Sequence, residues 1–517
     1  MENAKILWVD DEIDVLKPHI MFLEQKGYSV DTTNNGSEAL DMVRDNIYDI
    51  VFLDEQMPGL SGIETLEKIK ESYPGLPVVM ITKSEEELIM EEAIGSNIAD
   101  YLIKPVNPKQ ILLSLKKNLE NKKLRSEKST TQYQQSFSRL GMQISSGLNF
   151  EEWVEVYKQL VRWELELDIS TDSGIIEVLN MQKAEANQVF SKFIEKNYYD
   201  WINGNTDHRP ILSHTLLKEK LFPAVKSNRP MFLILIDNLR YDQWKTIQPV
   251  LEDKYRVKND EIYYAILPTV TQYARNALFS GLMPSEIQRK YPHYWIGEDD
   301  EGTKNQFEEQ LLGEYLKRYG KHYKTSYTKV LNLNVGRKLV DNLPNLMNND
   351  LNVIVYNFVD MLSHARTEME IIRELADDES AYRSISLSWF EHSPLKDIFD
   401  YLADKNVDVV ITTDHGSVRV SEPVKVLGDR NTNTNLRYKV GKALQYNRKE
   451  VYEVRNPDDI YLPRLNVSST FIFCKRNDFF AYPNNYNYYV NYYKNTFQHG
   501  GISLEEVLVP YIVLSGK

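Results

Sequence analysis

The sequence predicts an α/β protein in three parts: an N-terminal doubly wound domain, a central helical bundle and a larger C-terminal α/β domain. Short apolar strands alternate with helical patterns over residues 1–120, whereas residues 121–205 show helical spacing alone. Continuous apolar strands separated by helices return over residues 206–517. A chain of 517 residues exceeds a single hydrophobic core, which agrees with several domains.

Composition narrows the class of protein. Hydrophobic residues make up 42% of the chain, which favours a globular protein over a disordered one. The single cysteine, Cys474, excludes a disulfide within the chain and a cysteine-based zinc site. A formal net charge of −14 argues against a DNA-coating protein. No apolar run reaches the length of a membrane span, so we expect a soluble cytoplasmic protein without membrane insertion.

Five strands separated by helical patterns are predicted in the first 120 residues. They cover Lys5–Val9, Ser29–Thr33, Ile50–Leu53, Val78–Thr82 and Tyr101–Ile103. Strands that alternate with helices form a parallel sheet, and functional side chains then collect beyond the carboxyl ends of the strands.

Charged side chains follow three of these strands. Asp10 and Asp11 come after the first strand, Asp54 ends the third and Lys104 follows the fifth. Clustered carboxylates can hold Mg²⁺, a hard cation that prefers oxygen ligands. The metal neutralises charge while a phosphoryl group is transferred to Asp54, and Lys104 supplies a fixed positive charge. The sequence therefore predicts a phosphoacceptor site with Asp10, Asp11 and Asp54 around magnesium.

Thr82 and Tyr101 are predicted to respond to phosphorylation. The Thr82 hydroxyl can donate to a phosphoryl oxygen, and Tyr101 can then exchange an exposed rotamer for a buried one. With this spacing, residues 1–120 resemble the receiver domain of bacterial two-component response regulators. The resemblance implies phosphorylation by a sensor histidine kinase and a shift in self-association towards a homodimer.

The central residues carry amphipathic helices without a chemical motif. Apolar residues recur every three or four positions in Phe150–Leu167 and in Ile175–Tyr199. We interpret residues 121–205 as a small helical bundle that acts as a spacer or a dimer element.

Buried strands and catalytic residue types return in the C-terminal part. The predicted strands are Met231–Ile236, Val353–Val359, Val407–Thr412, Thr470–Cys474 and Val507–Val513. Asp and His side chains stand mostly at the ends of such strands, where one edge of a sheet can bring them together. These candidate ligands are Asp237, Asp360, His364, Asp414, His415 and His499. A mixed Asp/His set is typical of zinc sites in hydrolytic enzymes. Two metals about 4 Å apart can coordinate both the attacking and the leaving oxygen of a phosphoryl transfer.

Thr271 is the candidate nucleophile between these ligands. It stands at the start of a predicted helix, and a helix N-terminus favours anions such as phosphate. Thr269 is the nearest competitor for this role.

Residues 206–517 resemble the alkaline phosphatase superfamily, and within it the PglZ-type domain. The resemblance implies one zinc ion held by Asp360, His364 and His499. It implies a second zinc ion held by Asp237, Asp414 and His415, with Thr271 as both ligand and nucleophile. A Thr nucleophile is similar to the phosphodiesterase branch. Receiver, helical segment and PglZ-type domain in this order resemble the response regulators of type IX secretion in Bacteroidetes.

A basic stretch between the candidate ligands indicates an anionic substrate. Residues 425–455 are rich in Lys and Arg in an otherwise acidic protein, and Arg430, Arg437 and Lys439 are the predicted substrate contacts. We expect a nucleotide or oligonucleotide. The Tyr-rich patch Tyr482–Tyr493 could stack on its bases or be an ordinary surface.

Two non-enzymatic alternatives remain open. In the first, zinc only stabilises the effector, which acts by binding a partner such as an extracytoplasmic-function sigma factor or a kinase. The second is a DNA-binding transcription factor, which the acidic charge and the lack of an evident helix-turn-helix segment disfavour.

Overall fold

A computed structural model describes most of the chain. The described residues are 4–73, 75–82, 98–168, 173–227, 229–298, 300–368, 378–428 and 432–517, with the backbone alone at residues 14, 82, 120–128, 173 and 364–368. The chain divides into two compact units, Met1–Tyr133 with Ile169–Thr171 and Gln134–Asp168 with Asp172–Lys517. Among the described helices, none is long and apolar enough to cross a membrane.

The first unit contains a five-stranded parallel sheet in the order β2-β1-β3-β4-β5. Its strands are β1 Lys5–Val9, β2 Ser29–Thr33, β3 Ile50–Asp54, β4 Val78–Thr82 and β5 Asp100–Ile103. Its described helices are α1 Lys17–Gln25, α2 Gly36–Asp45, α3 Gly62–Ser72 and α4 Pro108–Ser145, the last of which runs past Tyr133. All five predicted strands are present, and the doubly wound fold class is confirmed.

Alternate side chains of the central strands pack on opposite faces of this sheet. Leu7 and Leu53 join the apolar cluster that includes α2 and α3 residues. Trp8 and Phe52, one position away, join the cluster on the other face. Because successive strand side chains point to opposite faces, both faces bury apolar surface and both are covered by helices.

Long helices fill the central segment, as predicted. They are α5 Phe150–Leu167 and α6 Ser173–Asn203. Asn149 caps α5 in a capping box with Glu152. The predicted domains are 1–120, 121–205 and 206–517. Helix α4 runs without a break across residue 120, so it does not mark an end of the first domain there. These domain boundaries stay predictions.

The C-terminal part of the second unit contains one large sheet and several small ones. Its strands are β6 Met231–Ile236, β7 Tyr255–Tyr264, β8 Thr325–Val330, β9 Leu351–Tyr356, β10 Asp408–Thr412, β11 Val418–Arg419, β12 Glu422–Leu427, β13 Tyr438–Gly441, β14 Gln445–Tyr446, β15 Val451–Val454, β16 Thr470–Cys474, β17 Asp478–Ala481, β18 Phe497–Gln498 and β19 Leu508–Gly516. The large sheet has the order β7-β19-β10-β6-β9-β8. Strands β10, β6, β9 and β8 are parallel, so their carboxyl ends share one edge.

The described helices of this part of the chain connect its strands, and one of them packs directly on the large sheet. They are α7 Ser213–Leu216, α8 Tyr241–Glu252, α9 Thr271–Ser280, α10 Pro284–Lys290, α11 Glu308–Arg318, α12 Leu333–Leu346, α13 Phe358–Glu368, α14 Glu379–Glu391, α15 Pro394–Ala403, α16 Tyr486–Tyr493 and α17 Leu504–Val507. Leu278 and Phe279 of α9 lie in the same buried cluster as Leu233 and Leu235 of β6. This burial anchors α9 on the sheet.

Two predicted strands need correction. The strand predicted over Val353–Val359 ends at Tyr356, and Phe358 already belongs to α13. Val507 lies in the helical turn α17, which Ser503 caps, and β19 begins one residue later. β16 has the predicted bounds Thr470–Cys474 and belongs to the small sheet β13-β16-β15. A continuous apolar run has no period that separates a buried strand from a buried helix or assigns it to a sheet.

Candidate functional site

The phosphoacceptor site predicted for the first unit is assembled around Lys104. Its Nζ lies 2.9 Å from Asp54 Oδ1 and 3.0 Å from Asp10 Oδ2, and both Asp side chains are buried. Carboxylate oxygens of Asp10, Asp11 and Asp54 all lie within 4.8 Å of one another. This is an oxygen-rich cluster of the kind that suits Mg²⁺.

Electrostatics at this cluster favours a bound cation. Burial raises the pKa of Asp54 to about 6, and the charges of Asp10 and Asp11 add to that rise. Asp54 Oδ2 is buried and accepts no hydrogen bond from the described residues. An unpaired oxygen among three carboxylates is a suitable ligand for a divalent metal.

The two predicted switch residues stand on neighbouring strands. Thr82 ends β4 and Tyr101 lies in β5, but the Thr82 side chain is outside the described part of the structure. Tyr101 is 43% exposed, so this conformation has the outward rotamer.

In the second unit, strands β6 and β10 bring three candidate zinc ligands together. Asp237 follows β6, and Asp414 and His415 follow β10 by two and three residues. One ligand atom from each lies within 4.8 Å of the others, and all three side chains are buried. The shared carboxyl edge of parallel strands explains their convergence.

Thr271 lies directly against this group. Its hydroxyl oxygen is 3.3 Å from Asp237 Oδ1 and 3.2 Å from His415 Nε2. Helix α9 begins at Thr271 after the extended residue Val270. Thr269, the competitor, is fully buried; its hydroxyl donates to the Gly501 carbonyl and accepts from the Gly500 N–H. This geometry favours Thr271 over Thr269.

The other predicted ligand set lies beside the first. His499 Nε2 is 3.4 Å from Asp360 Oδ1, and the His499 and His415 rings stack with their centroids 4.4 Å apart. Asp360 stands in the first turn of α13 rather than directly at a strand end. His364 also belongs to α13, but its side chain is outside the described residues.

Arg275 is a site residue that the sequence motifs do not indicate. It lies one helical turn after Thr271 and is fully buried, with Nη1 2.9 Å from Asp237 Oδ2 and Nε 3.7 Å from Asp414 Oδ2. Its Nε also donates to Glu308 Oε1 over 2.7 Å. The sequence signal that could indicate Arg275 is its i,i+4 spacing from Thr271, because this spacing places both side chains on one face of a helix.

The donor set fits a divalent metal. Burial raises the pKa of Asp237 well above its ordinary value, and the charge of Asp414 adds to that rise although Arg275 opposes it. Burial lowers the pKa of His415 to about 4, so its imidazole is neutral and has a lone pair for a metal at neutral pH. Asp414 Oδ2 is buried and accepts no hydrogen bond within the described residues. A cation here would neutralise the charge of the Asp237 and Asp414 carboxylates and would be coordinated by Asp414 Oδ2.

The predicted substrate contacts need correction. Arg437 is fully buried, and its guanidinium donates to both Glu506 carboxylate oxygens, 3.1 and 2.6 Å away. Lys439 is 1% exposed and donates to the Asn433 carbonyl over 2.8 Å. Lys439 lies in strand β13 and Arg437 directly precedes it, and both side chains are buried, so this part of the basic stretch is not a solvated loop. Arg430 lies outside the described residues.

The Tyr-rich patch forms helix α16 with an exposed aromatic face. Tyr488 is 64% exposed and Tyr489 is 39% exposed. Each stacks on the tyrosine four residues later, with interplanar angles of 15° and 13°.

Sequence comparison identifies three domains in this chain. Residues 216–514 match the family described as BREX system PglZ alkaline phosphatase-like domain. Residues 6–116 match the response regulator receiver domain, and residues 123–202 match the PorX response regulator linker domain. Because the first match spans more than half of the chain, the protein belongs to the PglZ alkaline phosphatase-like family. It is a response regulator with a PglZ effector domain, and the three domains together have the PorX-type architecture.

Curated relatives match through the receiver domain. The transcriptional regulatory protein ResD of Bacillus subtilis is 36% identical over 114 residues, which are 22% of this chain and 47% of ResD. The transcriptional regulatory protein ZraR of Klebsiella oxytoca is 37% identical over 123 residues, 24% of this chain and 28% of ZraR. This chain spans less than half of the length of these relatives.

Solved structures match over the same part. A CheY-like receiver domain protein from Methanospirillum hungatei is 29% identical and covers 23% of this chain and 95% of its own, with a TM-score of 0.22. The chemotaxis response regulator CheY4 of Vibrio cholerae is 29% identical and covers 23% and 99%, also with a TM-score of 0.22.

Proposed function

We propose that this response regulator is a phosphorylation-controlled, zinc-dependent phosphodiesterase with Thr271 as its nucleophile. The observation that carries the proposal is the Thr271 hydroxyl at the first residue of α9, 3.3 Å from Asp237 and 3.2 Å from His415. The PglZ alkaline phosphatase-like family makes hydrolysis of a phosphoester the expected class of reaction.

In the proposed reaction, the Thr271 oxygen attacks phosphorus. As the new oxygen–phosphorus bond forms, Thr271 gives up its hydroxyl proton and the bond to the leaving alcohol breaks; the departing oxygen takes up one proton, which balances the step. Water then hydrolyses the phosphothreonine, which releases a phosphomonoester and returns the hydroxyl to Thr271. Asp237 Oδ1 orients the hydroxyl before attack, and the α9 N-terminus favours the phosphoryl oxygens.

Two zinc ions would be held by Asp360, His364 and His499 and by Asp237, Thr271, Asp414 and His415. When bound, they would neutralise phosphoryl charge and lower the pKa of the attacking hydroxyl. In the receiver domain, Asp10, Asp11 and Asp54 would hold Mg²⁺ while a sensor histidine kinase phosphorylates Asp54.

The proposed biological role is control of type IX secretion, with a nucleotide or oligonucleotide as the substrate and a homodimer as the phosphorylated state. The PorX-type order of domains supports this role. In the alternative function, zinc only stabilises the effector domain, which acts by binding a sigma factor or a kinase. The experiment below distinguishes this function from hydrolysis.

The test is hydrolysis of bis-p-nitrophenyl phosphate by zinc-loaded protein, with zinc measured on each sample. Thr271→Val keeps the shape of the side chain but removes the nucleophile, whereas the matched Thr271→Ser retains a hydroxyl. We expect turnover to fall by at least about a hundredfold in Thr271→Val and to persist in Thr271→Ser. Zinc-replete wild-type protein without turnover on this ester or on short oligonucleotides would refute the esterase and favour partner binding.

A further inference from the structure

Helix α6 of the linker domain presents polar side chains to the PglZ domain at regular intervals. They are Lys183, Asn187, Ser191, Glu195 and Tyr198, which we call the polar stripe. Spacings of four, four, four and three residues put these side chains on one face of the helix. Asn187, Ser191 and Tyr198 are 6%, 1% and 2% exposed. Buried polar groups require hydrogen-bond partners. The partners of the polar stripe therefore indicate its role.

The C-terminal end of the stripe holds the loop that leads to the nucleophile. The Leu267 N–H donates to the Tyr198 hydroxyl over 2.9 Å. Leu267 lies four residues before Thr271, and Thr269 between them bonds to the backbone at Gly500 and Gly501. Tyr198 therefore fixes a short segment that ends at the attacking hydroxyl.

The middle of the stripe holds the segment that follows His499. The Ser191 hydroxyl lies 3.3 Å from the Ile502 carbonyl. Asn187 accepts from the Leu504 N–H over 2.7 Å and donates to Glu505 Oε2 over 3.1 Å. These partners are three to six residues after His499, so the linker helix also sets where that ligand's loop lies.

The same segment supports the loop of His415. The Gly416 N–H donates to the Glu506 carbonyl over 3.3 Å. A Cβ placed on Gly416 would lie 2.0 Å from the Glu505 carbonyl oxygen, so the two backbones touch. Lys183 Nζ is 3.8 Å from Glu505 Oε1 at the other end of the stripe. The loops that carry Thr271, His499 and His415 therefore all rest on one helix, directly or through residues 504–506.

We propose that α6 is a positioning element of the active site, with Tyr198 and Asn187 as its positioning residues. The stripe holds the Thr271 loop, the His499 loop and the His415 loop in one relative arrangement. A shift of this helix would move the nucleophile relative to the metal ligands, which makes α6 the route by which the linker domain controls the effector. The catalytic consequence rests on the proposed phosphodiesterase function, whereas the control of loop position does not.

The first test compares Tyr198→Phe with Tyr199→Phe, a matched control on the next residue, which is 45% exposed. Hydrogen–deuterium exchange of the full-length, zinc-loaded protein is measured at residues 265–271 and 499–507. We expect faster exchange in these two segments for Tyr198→Phe alone, because the Leu267 N–H loses its acceptor. With a phosphodiester substrate, we expect kcat to fall roughly three- to tenfold with KM unchanged, as misplacement of a reacting group would cause.

The second test compares Asn187→Ala with Asn197→Ala on the same helix. Asn197 donates to the Phe193 carbonyl within its own helix, so its loss leaves the loops untouched. We expect faster exchange at residues 499–507 and weaker zinc binding in Asn187→Ala only.

Each outcome decides the proposal. Exchange and zinc affinity equal to wild type in Tyr198→Phe and Asn187→Ala would overturn it. Exchange raised uniformly across the whole domain would also overturn it, because the stripe would then be a structural interface only. If wild-type protein lacks hydrolysis, the phosphodiesterase fails, but the exchange and zinc measurements still decide the role of α6.

Discussion

Arg275 illustrates how a single buried side chain organises the candidate metal centre. Its guanidinium lies between three carboxylates: Asp237 at 2.9 Å, Glu308 at 2.7 Å and Asp414 at 3.7 Å. Tyr327 also donates to Glu308. Buried carboxylates without a countercharge are strongly disfavoured, so Arg275 stabilises the apo site before any metal binds.

Replacement of Arg275 should therefore destabilise the metal-free protein. We expect Arg275→Gln to lower the free energy of unfolding of the effector domain by about 3–5 kcal/mol, because the buried partners are left unpaired. Urea denaturation in the presence of a chelator measures this, with the exposed Arg289→Gln as the control. A loss below about 1 kcal/mol would contradict the proposed role of the ion pair.

Lys439 gives a pH-dependent prediction. Burial lowers its pKa to about 8, from an ordinary value of 10.5. Between these values the unfolded chain binds more protons than the folded one, so the free energy of unfolding should rise with pH across this window. The rise from Lys439 should reach roughly 2 kcal/mol by about pH 9.5. Lys439→Met should remove this increment, and identical pH profiles for the two proteins would contradict it.

At the scale of elements, the parallel strands and the loops that follow them assemble the site. Strands β6 and β10 deliver Asp237 and Asp414 to one edge, and α9 begins at the nucleophile beside them. The loops can approach this closely only where side chains are absent. Gly416, which packs on the Glu505 carbonyl, is such a position.

A pair of Gly→Ala substitutions separates this close approach from ordinary helix propensity. Gly416→Ala would place Cβ 2.0 Å from a backbone carbonyl oxygen, so we expect a loss of about 1–3 kcal/mol and weaker zinc binding. Gly313 lies inside α11 with open space around its Cβ position, so Gly313→Ala should stabilise by about 0.5–1 kcal/mol. Thermal unfolding of both variants measures whether Gly416→Ala lowers stability while Gly313→Ala raises it. Equal changes in stability would contradict the packing argument.

At the scale of the whole molecule, the two candidate sites lie in different compact units with different ligand chemistry. Asp10, Asp11 and Asp54 offer only carboxylate oxygens, whereas the effector site combines Asp and His. Hard oxygen sites suit Mg²⁺ and mixed nitrogen and oxygen sites suit zinc, so the two metals should be separable.

Removal of zinc should therefore abolish hydrolysis and leave phosphorylation of the receiver intact. After zinc is stripped and Mg²⁺ is added back, a small-molecule phosphodonor should still label wild-type protein but not Asp54→Asn. Sedimentation of the same samples should show a shift towards a dimer only when Asp54 is phosphorylated. Labelling of Asp54→Asn at wild-type levels would contradict Asp54 as the phosphoacceptor.

Much of this protein was readable from local sequence. The pattern of apolar residues predicts the five receiver strands and the two long linker helices, and a continuous apolar run predicts strand β6, because burial on one or both faces leaves a local signature. The residue types at strand ends indicated the candidate ligands Asp237, Asp414 and His415, because parallel strands present their carboxyl ends to one edge.

Tertiary structure alone decided which polar residues serve the site and which support it. Arg437 and Lys439 read as substrate contacts in the sequence but are buried, and Arg275 read as a helix residue but lies between the Asp237, Asp414 and Glu308 carboxylates. The segment that forms α6 is predicted as part of a spacer or dimer element, yet its polar stripe bonds to loops more than 60 residues away in sequence, such as that of Leu267. Charge and polarity are visible in a sequence, but the partner that satisfies a buried polar group is set by distant segments that meet only in the folded chain.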